Sequence, residues 1–198
     1  MKLTAMMAMT MAAGMTVQAA STKSTRLTVY VRNTANVPTD VTNQAEVVAS
    51  SMFASVGVKI DWRSGNPSVS EKALAIELVT NTPKTEKPGA LAYALPYEGT
   101  HIVVFWDRMQ FGLAPVGVLA HVMVHEVTHM IEGISRHSES GIMKAHWSDE
   151  DNKAMMIRPL RFAAEDVVLI QRSMAARNSS SGIELTANRA PAEAVWDK

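Results

Sequence analysis

Two histidines four residues apart, His125 and His129, flank Glu126 in the run His125-Glu126-Val127-Thr128-His129. On an α-helix such residues stand one above the other on one face, so their imidazoles can reach the same metal ion. Glu126, beside His125, can then hold a water on that ion and take its proton. Two imidazoles and a carboxylate base in this pattern are the equipment of a zinc-dependent hydrolase.

The element that must carry them is legible around the motif. From Pro115 to Ile131 the chain is largely apolar, with Val116, Val118, Leu119, Val122, Met123, Val124, Val127, Met130 and Ile131 falling on every side of a helix. A helix of that kind is buried. Pro115 suits its first turn and Gly133 the position just past its end. Histidines and a glutamate buried there without partners would cost on the order of a few kcal/mol, which a metal would offset.

A third ligand is needed, and Glu132, His137, His146, Glu165 and Asp166 all follow the motif. His121 cannot join both histidines, because it would stand roughly 12 Å from His129 along the axis. Glu132 shares a face with His129 but would string the ligands along the helix, whereas one zinc needs a compact tetrahedron. A chain that turns back at Gly133 brings His137 in from the side. This favours His137, with Glu132 and Glu165 as alternatives.

The rest of the chain frames that helix. Lys plus Arg equals Asp plus Glu at 19 each, the length suits one domain, and no basic patch points to nucleic acid. Met1-Lys2, an apolar run from Leu3 to Met15 and Val17-Gln18-Ala19 read as a signal peptide over residues 1–20, cut near Ala19 or Ala20. The run is shorter than the roughly 20 residues of a membrane span. The expectation is a secreted or periplasmic bacterial protein with no stable membrane anchor after cleavage. With no cysteine in the chain, disulfides and a lipid-bearing cysteine are excluded.

Leu27–Val31 alternates as a strand. Residues 40–55 place Val41, Ala45, Val48, Ala49, Met52 and Phe53 at helical spacing, with Asp40 as cap and Gly57 as stop. Val58–Trp62 and Leu74–Val79 read as two more strands. Residues 21–177 form the expected catalytic domain, and the Ser-, Ala- and Pro-bearing segment 178–198 reads as a disordered tail or a short extension.

The stretch from His125 to His137, followed by Ser138 and by Gly141-Ile142-Met143, resembles the metzincin clan of zinc metallopeptidases. Metzincins carry HExxHxxGxxH and then a methionine in a tight turn. Here Gly133 follows His129 by four residues and His137 by eight, rather than by three and six. One extra residue lengthens the helix end and another the return loop. That spacing is similar to small secreted bacterial metzincin-like proteins with an HExxH motif, a later His-Ser pair and a Gly-Ile-Met turn.

The resemblance implies His125, His129 and His137 as ligands of Zn2+, Glu126 as general base, and Met143 as the apolar floor of the Met-turn. Gly89–Pro96 and Thr100–Asp107 look like the edge strand and the next strand that border the metzincin cleft. Ala90, Leu91, Ala92, Tyr93 and Ala94 would then pair with an extended substrate. Residues 162–171 resemble the C-terminal helix of matrix-metalloproteinase catalytic domains. His146 would orient substrate or stabilise an oxyanion, as a tyrosine after the Met-turn does in astacins, or else sit on the surface beside a packed Trp147.

The implied fold is α/β (α+β): a twisted mixed sheet with an antiparallel edge strand, an active-site helix, a Met-turn and a C-terminal helix. The expected order is β, α, β, β, β, β, zinc helix, loop, final helix. The implied activity is that of a secreted metalloendopeptidase acting on peptide or protein substrates. Without a cysteine latch, and with only residues 21–26 ahead of the first strand, no zymogen stage is expected. Two other functions share the same features: a secreted zinc-binding module without proteolytic activity, and an amidase acting on cell-wall peptide.

Overall fold

The computed structural model describes residues 25–69, 71–94, 100–109 and 114–187, with side chains as far as residue 179. The expected signal peptide and residues 188–198 lie outside the described residues.

Five strands form one sheet: β1 (Thr25–Asn33), β2 (Val58–Ser64), β3 (Leu74–Val79), β4 (Ala92–Ala94) and β5 (His101–Phe105), in the order β2-β1-β3-β5-β4. Neighbours run parallel except β4, which pairs antiparallel with β5 through Tyr93↔Val103. The short β4 is thus the antiparallel edge strand that the sequence led us to expect.

The two faces of this sheet differ because the strands alternate. Leu27, Val29 and Val31 of β1 line up with Ile60, Leu74 and Ile76 of their neighbours, and all six are buried. Helices α1 (Thr39–Ala54) and α2 (Pro115–Glu132) cover this face. The other face is a polar ladder: Tyr30 Oη donates to Glu71 at 2.7 Å, and Arg32 and His101 approach Glu77 at 3.6 and 3.5 Å. One apolar face, and a second that is polar along β1 to β3 but carries buried Ala75, Val103 and Phe105 toward β5, make a mostly two-layer domain, where parallel sheets more often bury both faces.

Helix α2 is enclosed by the sheet, α1, α3 (Asp149–Ile157) and α4 (Ala164–Ala187), and every residue from Leu119 to Ile131 is buried. Pro115 occupies its first turn, and Gly133, at φ 70°, ends it with an N–H donated to the His129 carbonyl at 2.8 Å. The left-handed conformation that reverses the chain there is one glycine adopts without strain.

Three local readings change. The segment between the zinc helix and the last helix, expected to be loop, contains α3. Ser148 accepts from the Asp151 N–H and Asp151 returns a bond to the Ser148 N–H, a capping box whose Ser-x-x-Asp spacing was present in the sequence. At α1 the cap is Pro38, with no side-chain bond, and Asp40 lies within the first turn, where its charge favours the helix dipole. The last helix, expected over 162–171, begins at Ala164 and continues to Ala187.

The capping box should carry measurable stability. Ser148→Ala is expected to lower the unfolding free energy by about 1 kcal/mol in urea titration. Ser148→Asp, which can cap the same N–H, should lose much less.

Candidate functional site

His125 and His129 project from α2, and His137 returns beside them after the Gly133 reversal. Their nitrogens come together, each offering one atom within 4.8 Å of the others. The Nε2 atoms of His125 and His129 are 3.0 Å apart. On the far side of each ring, Nδ1 faces a backbone carbonyl at 3.0 Å: Ile142 for His125 and Ile134 for His129. A carbonyl only accepts, so Nδ1 carries the hydrogen and Nε2 keeps its lone pair for the shared space. This is the tautomer that metal ligation requires.

The carbonyl of Ile142 belongs to the Gly141-Ile142-Met143 turn and takes a second bond from Trp147 Nε1 at 3.2 Å. Trp147 stands edge-on to both His125 and His121, with centroids 5.7 and 6.0 Å away. Met143 is buried beneath the turn, and its carbonyl accepts from the Ser138 N–H at 2.8 Å. The turn therefore couples the first and third histidines through its backbone. Gly141 has φ 77°, and a Cβ there would lie 2.1 Å from the Arg161 carbonyl oxygen, while the Ile142 N–H donates to that same oxygen at 3.0 Å.

His121 takes a different part. Its Nδ1 lies 2.6 Å from the Gly117 carbonyl and its Nε2 accepts from the Leu160 N–H at 2.9 Å. Both nitrogens are used, so this buried imidazole is a brace between α2 and the segment before α4.

The other candidates are placed as follows. Glu132 pairs with Arg136 at 3.6 Å, Glu165 is exposed on α4, and Asp166 is buried against Arg136, Ser138 and the Ala163 N–H. None of the three joins the histidine cluster, which among the described residues is the group able to hold a metal. His146 is exposed, and its charge adds to partial burial in lowering the basicity of His137, while Trp147 is half-buried. Ala92, Tyr93 and Ala94 form β4; just before them Leu91 accepts from the Phe105 N–H at 2.8 Å, and the Ala90 carbonyl is bound by Arg108. The sequence did not single out Arg136 or the carbonyls of Ile134 and Ile142, and it gave Ser138 no role beyond the His-Ser pair; backbone groups leave no mark in a sequence.

Burial sets the protonation states. It lowers both His125 and His129 to about 4, helped for His125 by His129 and for His129 by His137, and resisted by the carbonyls that hold their Nδ1 hydrogens. Both rings are therefore neutral at pH 7, as ligands must be. Burial also lifts the Glu126 carboxyl to about 7, with 9 % of the residue exposed. A carboxyl in that range exchanges a proton readily near neutral pH.

Two neutral imidazoles with inward lone pairs, and a third ring that brings a nitrogen to the same point, fit zinc. Tetrahedral zinc with nitrogen at about 2.0–2.1 Å calls for donors roughly 3.3 Å apart; the His125 and His129 Nε2 atoms, 3.0 Å apart, are near that value, and the His137 nitrogen lies within 4.8 Å of both.

No known family profile matches the sequence, and no curated protein matches it. By structure it is similar to archaemetzincin from Methanopyrus kandleri, with a TM-score of 0.54 and 13% identity over 77% of this chain and 98% of that one. The likeness is one of fold: among the described residues the chain has a zincin-like architecture, with a five-stranded, mostly parallel sheet and four α-helices.

Two outcomes follow. Gly141→Ala drives its methyl into the Arg161 carbonyl and strains a left-handed residue, so it should cost more than about 2 kcal/mol. Urea unfolding measures this. Glu126 has a folded pKa of about 7 against 4.5 unfolded, so its contribution to stability falls as pH rises through that window. His125 and His129, near 4 against 6.5, act oppositely and lose stability as pH falls from 6.5 toward 4. With chelator present, Glu126→Gln should therefore melt above wild type at pH 8, by up to about 3 kcal/mol, and converge with it near pH 4.5. A wild type that is the more stable at pH 8 would contradict the buried-carboxylate account.

Proposed function

We propose that this protein is a secreted zinc-dependent metalloendopeptidase. The observation that carries the reading is the convergence of three imidazoles beside a buried carboxylate on α2. His125, His129 and His137 would hold the ion. Zinc, when bound, supplies a Lewis acid for the scissile carbonyl and a water of lowered pKa.

The chain's own residues do the rest. Glu126 takes a proton from the attacking water and returns it to the leaving amine, and its low-dielectric surroundings keep its pKa matched to that exchange. The β4 edge, which among the described residues pairs only with β5, would offer main-chain groups to an extended peptide, so recognition would rest on backbone more than on side-chain identity. Buried Met143 would pack beneath the site as its apolar floor, and exposed His146 would orient substrate there. Residues 1–20 act as the signal for export, to the periplasm or the medium.

Full-length protein should bind about one zinc per chain, lost in His125→Ala and His129→Ala and strongly weakened in His137→Ala. Incubated with an unfolded protein it should release fragments, and chelator should stop this. Glu126→Gln should keep its zinc yet lose at least about a hundredfold in rate, the usual scale for a general base. Full zinc occupancy with no cleavage of unfolded protein or peptide libraries would overturn the peptidase reading in favour of a binding module. Cleavage confined to cell-wall peptides would make it an amidase.

A further inference from the structure

His125 and His129 are aimed by carbonyls that contact their own rings. His137 is exposed and sits on a chain reversal, so its neighbours must set its position. Those neighbours share one anchor. Arg136 Nη2 and Ser138 Oγ, on either side of His137, both donate to Asp166 Oδ1, the latter at 2.5 Å. Arg136 Nη1 also donates to Ser138 Oγ at 3.0 Å, which closes a ring of three bonds around the His137 backbone. Asp166 is 0% exposed and fixed in turn by the Ala163 N–H at 3.0 Å on its other oxygen. From the α2 side, Glu132 approaches Arg136 Nε at 3.6 Å.

We propose that Asp166 is a positioning residue for the third ligand, gripping Arg136 and Ser138 so that His137 is held against the His125–His129 pair. The inference rests on the reading of the three histidines as a metal site. Charge-assisted bonds to a buried carboxylate are short and directional, so they resist the displacement that an exposed loop would otherwise allow. Removing the groups that orient a ligand typically weakens metal binding about 10- to 100-fold.

The test measures zinc affinity by competition with a chromophoric chelator, and the visible absorption of the cobalt-substituted full-length chain. Asp166→Asn and Ser138→Ala should each bind zinc about 10- to 100-fold more weakly than wild type. Their cobalt spectra should move toward that of His137→Ala, and Ser138→Thr, which keeps the hydroxyl, should retain affinity within about threefold. Added to His137→Ala, neither substitution should weaken binding further, because the ligand they position is gone.

Equal losses in the presence and absence of His137 would reduce Asp166 to a general structural role and overturn the proposal. So would wild-type affinity in folded Ser138→Ala. If Asp166→Asn does not fold, the Ser138 variants decide. Wild type that binds zinc through His125 and His129 while the Ser138 variants behave normally sinks the clamp alone; wild type that binds no zinc sinks the site reading with it.

Discussion

The buried imidazoles of His125 and His129, with Nε2 lone pairs 3.0 Å apart, cannot stay uncompensated inside a dry protein, and exposed His137 brings a third nitrogen to the same point. Burial keeps the first two neutral, and neutral rings at this separation gain nothing from each other until something electrophilic comes between them. The surrounding architecture answers to that constraint. Helix α2 is sealed by the sheet and three helices, which withdraws water, and His125 and His129 each have the outer nitrogen tied to a carbonyl, which turns the inner one toward the common point.

The supporting bonds converge on the backbone between Ile134 and Met143. Ile134 holds His129, Ile142 holds both His125 and Trp147, and Met143 holds the residue after His137. The turn works through its carbonyls, and its side chains mainly fill space. Gly141 permits the arrangement because a carbonyl from the segment before α4 occupies the place a side chain would take. Here a close backbone approach, as well as the positive φ, requires glycine.

The sequence made the α2 part of this site legible, because helical spacing and local motif coincide there. Pro115, Gly133, the apolar run and the His-Glu-x-x-His pattern all depend on neighbours in the chain, and the structure places them as their spacing required. Strand β3 was readable to the residue for the same reason. Helix α3 was missed because its mean polarity hides any apolar stripe and its signal lies in a cap, not a period. The anchoring of Arg136 by Asp166 could not be read at all: the two meet only after α4 has packed against α2, and charge alone does not choose between Glu132, Glu165 and Asp166 as partners.

The longer path from His129 to His137 still keeps all three candidate ligands on one short stretch of chain. Drawing such a stretch around an ion costs little loop entropy. The unfolded chain therefore retains some ability to gather the same three rings, and an ion bound there works against the stabilisation that it confers on the folded state. Metal would then act on this protein more as a local organiser of the His125–His137 segment than as a rivet for the whole domain. The sheet and its two covering helices would hold together largely on their own apolar contacts.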